Sequence, residues 1–193
     1  MTLHEAIDLI RPGVIPPSGT WADIGAGTGL FTEALLEILE EGKVFALDKN
    51  THSLYQSKIE NRKSKITVEI YEADFNKPMI LPPLDGILMA NALHYAHDHL
   101  FVLKNVLTSF KPGGTFIVIE YDTDKPNPPW VPNPVSFNRF RELCKHAGLK
   151  EPVVIGRRHS IYQDGEMYVV TSSKHEPVVG SLENLCSLLN QMK

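Results

Sequence analysis

Three glycines at alternate positions are the most distinctive chemical feature of the sequence. Gly25, Gly27 and Gly29 lie between the short apolar run Thr20–Ile24 and a pattern that starts at Leu30. In that pattern apolar residues recur at positions 30, 31, 34, 35, 38 and 39, the spacing of an amphipathic helix. A glycine turn between a strand and a helix lets a ligand approach bare backbone and the N–H groups of the helix start.

Three interpretations of this turn are open. It can be a tight connection without a ligand, because a single glycine-rich turn is a weak signal. It can be a dinucleotide site of the Gly-x-Gly-x-x-Gly type, but the third glycine of that pattern falls at position 30, which is Leu30. The actual spacing is Gly-x-Gly-x-Gly, with Asp23 two residues before Gly25. The third interpretation is therefore a binding site for a ligand that is not a dinucleotide.

Polar side chains also follow the apolar runs that predict strands. Asp48, Asp74 and Asn91 come at or just after the ends of three such runs. The carboxyl ends of parallel strands meet at one edge of a sheet, so these residues and the glycine turn are expected to lie close together. A carboxylate at position 48 can accept hydrogen bonds from both hydroxyls of a ribose. The alternatives are a helix cap or surface acid for Asp48 and a turn residue for Asp74.

Strand and helix patterns alternate along the chain, which predicts an α/β fold with a doubly wound, mostly parallel sheet and helices on both faces. Predicted strands cover residues 20–24, 43–48, 66–71, 84–90, 115–121, 152–156 and 166–172. Predicted helices cover residues 3–10, 30–41 with Gly42 as C-cap, about 51–61 with Asn50 or Thr51 as N-cap, 100–110, 137–147 closed by Gly148, and 182–192. The proline-containing segment 76–83 is predicted to be irregular.

The segment from Asp23 to Gly29 resembles the first motif of class I S-adenosylmethionine (SAM) dependent methyltransferases. Asp48 matches the acidic second motif of that family, and Asp74-Phe75 resembles its adenine-site element. The segment Leu84–Tyr95 is similar to the fourth motif, and Phe110–Thr115 to the turn before the fifth strand. The resemblance runs from about residue 20 to residue 173.

This resemblance implies a seven-stranded Rossmann-like sheet whose last strand is antiparallel. It implies methyl transfer from SAM to an unidentified acceptor, expected to be a small molecule, with S-adenosylhomocysteine as product. Alternatives are a non-catalytic SAM-binding or interaction module, and a nicotinamide-dependent oxidoreductase, which Leu30 opposes. The implied cofactor-binding residues are Asp23, Gly25, Ala26, Gly27, Gly29, Asp48, Lys49, Asp74, Phe75, Asn91, Ala92 and Leu93.

Candidates for the acceptor side are His94 and Tyr95, just past the fourth strand, and Trp130 in a loop with five prolines between residues 122 and 134. Methyl transfer depends mainly on orientation, and a base is needed only when the acceptor loses a proton. Packing or solvent exposure is the alternative for His94 and Tyr95, and a core position for Trp130. A metal interpretation of His94, His97, Asp98 and His99 lacks a distant ligand pair, so no metal is expected and Asp98 is predicted to cap a helix.

The 193 residues carry a net charge of −4, and no basic block or apolar run of membrane-spanning length stands out. We therefore expect neither a nucleic-acid nor a membrane partner. Two cysteines and the absence of a signal-peptide pattern favour the cytoplasm. The expected organisation is an N-terminal helix and linker (1–19), a SAM-binding methyltransferase domain (20–173) and a C-terminal helical extension packed on the domain (174–193). Its apolar stripe makes a homodimer possible.

Overall fold

The computed structural model describes residues 1–57, 59, 63–160 and 165–175. Within them one seven-stranded sheet is formed by β1 (Ser18–Ile24), β2 (Glu41–Asp48), β3 (Ile66–Glu72), β4 (Leu84–Ala90), β5 (Phe110–Tyr121), β6 (Val153–His159) and β7 (Glu166–Ser172). The helices are α1 (Leu3–Ile10), α2 (Leu30–Ile38), α3 (His52–Gln56), α4 (His99–Val106) and α5 (Phe137–Ala147), and single 3₁₀ turns cover Arg11–Gly13, Leu93–Tyr95 and Leu107–Ser109.

The strand order is β3-β2-β1-β4-β5-β7-β6. Strands β1 to β5 pair in parallel, and β7 pairs antiparallel with both β5 and β6. The predicted α/β fold with a mostly parallel sheet and an antiparallel last strand is therefore confirmed. The direction of strand addition reverses between β1 and β4, and open α/β sheets bind their ligands beside such a reversal.

Helices cover both faces of the sheet, and each face has its own buried core. One core joins α1 and α2 to Trp21, Val44 and Ile117. The opposite core joins α4 and α5 to Phe116 and Tyr168. Phe116 and Ile117 are adjacent in β5 and point to opposite faces, as the two-residue repeat of a strand requires. The N-terminal helix α1 is part of the first core, because Ala6 and Ile10 are fully buried.

The predicted C-terminal end of the helix 30–41 is wrong. Helix α2 ends at Ile38, and Gly42 lies inside β2, not at a helix cap. A Cβ on Gly42 would lie 2.0 Å from the Gly19 carbonyl oxygen, so close contact between β2 and β1 is what requires glycine there. Lys63 Nζ donates to the carbonyl oxygens of Glu37 and Leu39 at 2.6 and 2.8 Å and satisfies the C-terminal end of α2.

The predicted helix 51–61 is described only as α3, which ends at Gln56; residues 58 and 60–62 lie outside the described part.

Strand β5 begins at Phe110, five residues earlier than predicted, because Leu84 already pairs with Phe110 before the register shifts. The C-cap at Gly148 and the irregular segment 76–83 are confirmed. Residues 161–164, between β6 and β7, and the predicted helix 182–192 lie outside the described residues. None of the described helices is long and apolar enough to span a membrane.

Candidate functional site

The glycine turn connects β1 to α2 at the carboxyl end of the sheet. Its three glycines have φ values of 78°, 58° and 88° at Gly25, Gly27 and Gly29, all in the left-handed region. Gly25 and Ala26 donate their N–H groups to the Leu47 carbonyl oxygen at 2.8 and 3.0 Å. The turn is therefore anchored to the end of β2, and Gly29 is the N-cap of α2.

The three glycines serve different purposes. A Cβ on Gly25 would lie 2.5 Å from the Ala92 Cβ, and one on Gly29 would lie 2.9 Å from Ile59 Cδ1. Those two glycines are thus required by packing within the protein. A Cβ on Gly27 would meet no atom within 4 Å. Gly27 is exposed, and the space beside it is where a ligand can contact the backbone.

Asp48, at the end of β2, holds the turn from the other side. Its Oδ2 accepts the Gly27 N–H at 2.8 Å, and its Oδ1 accepts the Asn50 N–H at 2.9 Å. An ionised carboxylate has about four lone-pair positions, so both oxygens can still accept hydroxyl groups. Asp48 therefore positions the glycine turn and also presents acceptors toward the edge of the sheet.

Asp23 is fully buried behind the turn, with 1% of its surface exposed. Its Oδ2 accepts a hydrogen bond of 2.6 Å from the Thr32 hydroxyl, which fastens α2 to the end of β1. Burial raises the pKa of Asp23 to about 7, although the Thr32 hydrogen bond opposes the change and nearby Asp48 adds to it. This acid lies beneath the turn and supports it from inside the protein.

Asp74 and Phe75 follow β3 on the side of β2 away from β1. Asp74 Oδ1 accepts the Asn76 N–H at 3.0 Å, and Lys77 Nζ lies 3.7 Å from its Oδ2. The backbone hydrogen bond from Asn76 is the main cause that lowers the Asp74 pKa. Phe75 Cε1 lies 3.4 Å from where a Cβ on Gly25 would be, so this ring borders the glycine turn. Asp74 thus makes the turn contact that its alternative interpretation predicted. Lys49 is an exposed residue next to Asp48.

A cavity of about 270 Å³ lies at the carboxyl ends of β4 and β5. One wall consists of Asn91, His94 and Tyr95, which follow β4. The remaining lining residues are Tyr121 at the end of β5 and Asn127, Trp130 and Val131 from the proline-rich loop. The Asn133 N–H donates to the His94 carbonyl oxygen at 3.1 Å and ties the loop to the turn after β4. The structure thus brings together the two segments that the sequence predicted on the acceptor side, and Trp130 is exposed, not in the core.

His94 is buried against a carboxylate that the sequence interpretation missed. Its Nδ1 lies 2.8 Å from Glu120 Oε2, and its backbone N–H donates to Glu120 Oε1 at 3.1 Å. Glu120 is completely buried in β5, and 2% of the His94 side chain is exposed. The hydrogen bond to Glu120 places the ring proton on Nδ1, so Nε2 is the ring nitrogen left as an acceptor, and His94 is one of the residues that line the cavity. One signal was available, since Glu120 is an acid inside a strand predicted to be buried.

Asn91 is the strained residue of the site. Its φ is 51°, the one positive value outside glycine among the described residues. Its N–H donates to the Ile119 carbonyl oxygen at 2.8 Å and joins the end of β4 to β5. Its Oδ1 is buried without a hydrogen-bond partner. The next residue, Ala92, packs against Gly25, so the cavity and the glycine turn are separated by a single peptide unit.

The four residues of the metal interpretation have separate partners. Asp98 Oδ1 accepts the Phe101 N–H at 3.0 Å and caps α4, as predicted. His99 Nε2 lies 3.1 Å from the Asn133 carbonyl oxygen, and burial together with the Arg139 guanidinium lowers the His99 pKa. His94 is engaged with Glu120, while His97 is exposed. These side chains do not form a metal-ligand cluster within the described part of the chain.

The sequence profile of a family described as "Methyltransferase domain" matches residues 17–177. The chain belongs to this methyltransferase-domain family. The match covers β1 to β7, so the predicted class I SAM-dependent methyltransferase resemblance is confirmed.

Individual relatives of this methyltransferase-domain protein are distant. The trans-aconitate 2-methyltransferase of Azoarcus sp. is 25% identical over 115 residues, which cover 60% of this chain and 44% of that protein. The dimethylglycine N-methyltransferase of Parasynechococcus marenigrum is 29% identical over 126 residues, covering 60% of this chain and 41% of that protein. The chain thus spans less than half the length of these relatives.

A solved structure with the same fold comes from Burkholderia thailandensis. It is the 1,6-didemethyltoxoflavin-N1-methyltransferase with 1,6-didemethyltoxoflavin and S-adenosylhomocysteine bound. Its TM-score is 0.70 at 19% sequence identity, and the match covers 90% of this methyltransferase-domain chain and 78% of the other. At this identity the likeness concerns the fold.

Proposed function

We propose that this protein transfers a methyl group from SAM to a small-molecule acceptor. The observation that carries the proposal is the contact between Ala92 and Gly25. Through this contact the glycine turn adjoins the segment after β4, from which Asn91, His94 and Tyr95 line the cavity. A cofactor held on the turn therefore has its reactive end within reach of a second molecule in the cavity.

The residues around the turn fit the cofactor. The open space at Gly27 admits a ligand against the backbone, and the two oxygens of Asp48 suit neighbouring ribose hydroxyls. Phe75 borders the same turn with an aromatic ring, which suits a planar base. These contacts support the cofactor-binding roles that the family resemblance implies for Gly27, Asp48 and Phe75.

When bound, SAM supplies an electrophilic methyl group. The protein then has to hold the acceptor lone pair in line with the methyl–sulfur bond, and orientation of this kind can accelerate a reaction by several orders of magnitude. The cavity walls supply that orientation, and His94 Nε2 can take a proton if the acceptor loses one. Both curated relatives are named for methylation of small molecules, which supports the same class of acceptor here.

Calorimetry with SAM, S-adenosylhomocysteine and NAD is the direct test of the cofactor. We expect binding of the first two and none of NAD. Tight NAD binding without SAM binding would overturn the proposal and favour an oxidoreductase. A second measurement uses methyl-labelled SAM with small-molecule extracts and follows release of S-adenosylhomocysteine. SAM binding without transfer to any fraction would identify a non-catalytic SAM-binding module.

A further inference from the structure

The residues that line the cavity indicate the shape of the molecule that would bind there. Tyr95 and Trp130 are 40% and 67% exposed, and both border the cavity together with the buried Tyr121. Aromatic side chains favour planar rings through stacked or edge-to-face contacts. The volume of about 270 Å³ lies just below the usual range for drug-sized ligands, so it suits one or two fused rings.

The charges of the lining residues also restrict the charge of the acceptor. Among the described lining residues there is no lysine or arginine. The buried acid nearest to the cavity, Glu120, already binds both the backbone and the ring of His94. A ligand with several carboxylates normally requires arginine or lysine partners. The cavity therefore favours an uncharged molecule over a polycarboxylate.

Two polar side chains in the cavity wall, Asn91 and His94, can supply contacts to such a molecule. Asn91 Oδ1 is buried without a partner, and an unsatisfied buried acceptor is costly unless a ligand supplies a donor. The left-handed backbone of Asn91 adds a second cost at the same position, a feature that clusters at ligand sites. His94 Nε2 is the other atom, since Glu120 occupies Nδ1. Both residues border the same cavity.

We infer that the methyl acceptor is an uncharged planar molecule of one or two rings with polar hydrogens on two neighbouring oxygen or nitrogen atoms. One of these hydrogens bonds to Asn91 Oδ1 and fixes the ring, so Asn91 determines specificity. The other is on the nucleophilic atom and faces His94 Nε2. The inference rests on the proposed methyl transfer.

The reaction step follows from this placement. The lone pair of the nucleophilic oxygen or nitrogen forms a bond to the methyl carbon. The methyl carbon–sulfur bond breaks, and its electron pair stays on sulfur as a neutral thioether. The proton of the nucleophile passes to His94 Nε2, and the resulting imidazolium is paired with Glu120 until the proton leaves to water. Glu120 is a positioning residue in this step.

Binding of matched probes tests the two-donor requirement without turnover. With the protein saturated with S-adenosylhomocysteine, we would measure the affinities of 2,3-dihydroxynaphthalene, 2-naphthol and 2,3-dimethoxynaphthalene. We expect the dihydroxy compound to bind roughly 10-fold or more tighter than 2-naphthol, and the dimethoxy compound to bind weakest. Equal affinities of the three probes would overturn the inference.

Variants of Asn91 separate its side chain from its backbone. Asn91→Gly keeps the positive φ but removes the acceptor, whereas Asn91→Asp tolerates the same φ and keeps an acceptor oxygen. We expect Asn91→Gly to abolish the preference for the dihydroxy probe and to lower its methylation roughly 10- to 100-fold. Asn91→Asp should retain more of both. If Asn91→Asp loses as much as Asn91→Gly, the amide acts as a donor and the inference is wrong.

A comparison of charged and uncharged acceptors in turnover tests the inference independently of the binding measurements. With SAM present, we would compare 2,3-dihydroxynaphthalene and 2,3-diaminonaphthalene with trans-aconitate and dimethylglycine. Methylation of only the last two would overturn the inference about the acceptor and leave the proposed methyl transfer intact. Failure of SAM itself to bind would instead remove the proposed function.

Discussion

Glu120 holds His94 at two points, the ring Nδ1 at 2.8 Å and the backbone N–H at 3.1 Å. One carboxylate in β5 therefore fixes both the orientation of the imidazole and the path of the chain after β4. Both side chains are buried, so the pair is shielded from water and salt. Removal of one partner from a buried hydrogen-bonded pair leaves polar groups unsatisfied inside the protein, which costs more than the loss of an exposed hydrogen bond.

Glu120→Ala should lower the free energy of unfolding by about 2–6 kcal/mol, because it leaves the His94 N–H and Nδ1 without a partner and each unsatisfied buried donor costs about 1–3 kcal/mol. Glu120→Gln keeps a carbonyl oxygen for one of these donors and should cost less. In the Gln variant SAM affinity should remain within a few-fold of the parent, while methyl transfer should fall by about 10²-fold or more if His94 is the base. Denaturant unfolding, calorimetry and turnover measure the three effects. Unaltered turnover of the folded Gln variant would show that the pair serves only stability.

Gly27→Ala should weaken SAM binding by at least 10-fold, because the new methyl group projects into the open space beside the turn. Gly113→Ala is the matched control, since Gly113 also has a positive φ of 76° and open space at its Cβ. Gly113 lies near the start of β5, so it is at the amino-terminal ends of the parallel strands, whereas the glycine turn is at their carboxyl ends. Both variants pay a backbone cost of about 1–2 kcal/mol for a left-handed alanine. Equal SAM affinities in the two variants would place the cofactor elsewhere.

Asp48→Ala should lower SAM affinity roughly 10- to 100-fold, because charge-assisted hydrogen bonds contribute about 1.5–3 kcal/mol each. It also releases the Gly27 N–H that Asp48 Oδ2 holds, so the turn itself should loosen. Asp74→Asn should weaken binding less, since its amide keeps one carbonyl acceptor. Calorimetry with SAM measures the affinity of each variant. If both variants bind SAM as the parent does, Asp48 and Asp74 are only turn and cap residues.

Asp23→Asn should stabilise the protein without its cofactor at neutral pH. The pKa of Asp23 in the folded protein, about 7, lies above the ordinary aspartate value of 3.8, so the folded state binds the proton more tightly than the unfolded state. The parent therefore loses stability as the pH rises from about 4 to about 7, by roughly 1.4 kcal/mol for each pH unit between the two pKa values. Asparagine carries no charge and should not show this loss. Urea unfolding at pH 4.5 and 7.5 measures it, with exposed Asp124→Asn as control. A pH profile shared by the parent and Asp23→Asn would contradict the prediction.

Trp130→Ala and Tyr95→Phe should leave SAM affinity nearly unchanged and lower methyl transfer, because both residues line the proposed acceptor cavity and not the glycine turn. Tyr71→Phe is a suitable control, since Tyr71 is an exposed tyrosine at the far edge of the sheet on β3. Truncation of an aromatic side chain that contacts a ligand can cost 2 kcal/mol or more, roughly 30-fold in kcat/KM. Unchanged kcat/KM values for both cavity variants would place the acceptor outside this cavity.

The sequence alone determined the fold class and the position of the glycine turn. Both are local or periodic signals: the apolar run of β1, the helical spacing of α2 and the three glycines lie within about twenty consecutive residues. The caps at Asp98 and Gly148 were predictable for the same reason, because a cap is formed by neighbours along the chain. Boundaries set by neighbouring strands were not predictable, as Gly42 shows. Its conformation depends on contact with Gly19, which is distant in sequence.

Only the tertiary structure revealed how the cavity at the ends of β4 and β5 is built. Glu120 looked like one polar residue within an apolar strand until pairing of β4 with β5 placed it under His94. The unpartnered oxygen of Asn91 and the cavity of about 270 Å³ likewise depend on how β4, β5 and the proline-rich loop meet. A sequence pattern reports spacing along one segment, whereas a buried hydrogen-bonded pair or a cavity is formed between segments that the pattern does not relate. Chain periodicity therefore specified where the cofactor turn lies, and packing between distant segments decided what can enter beside it.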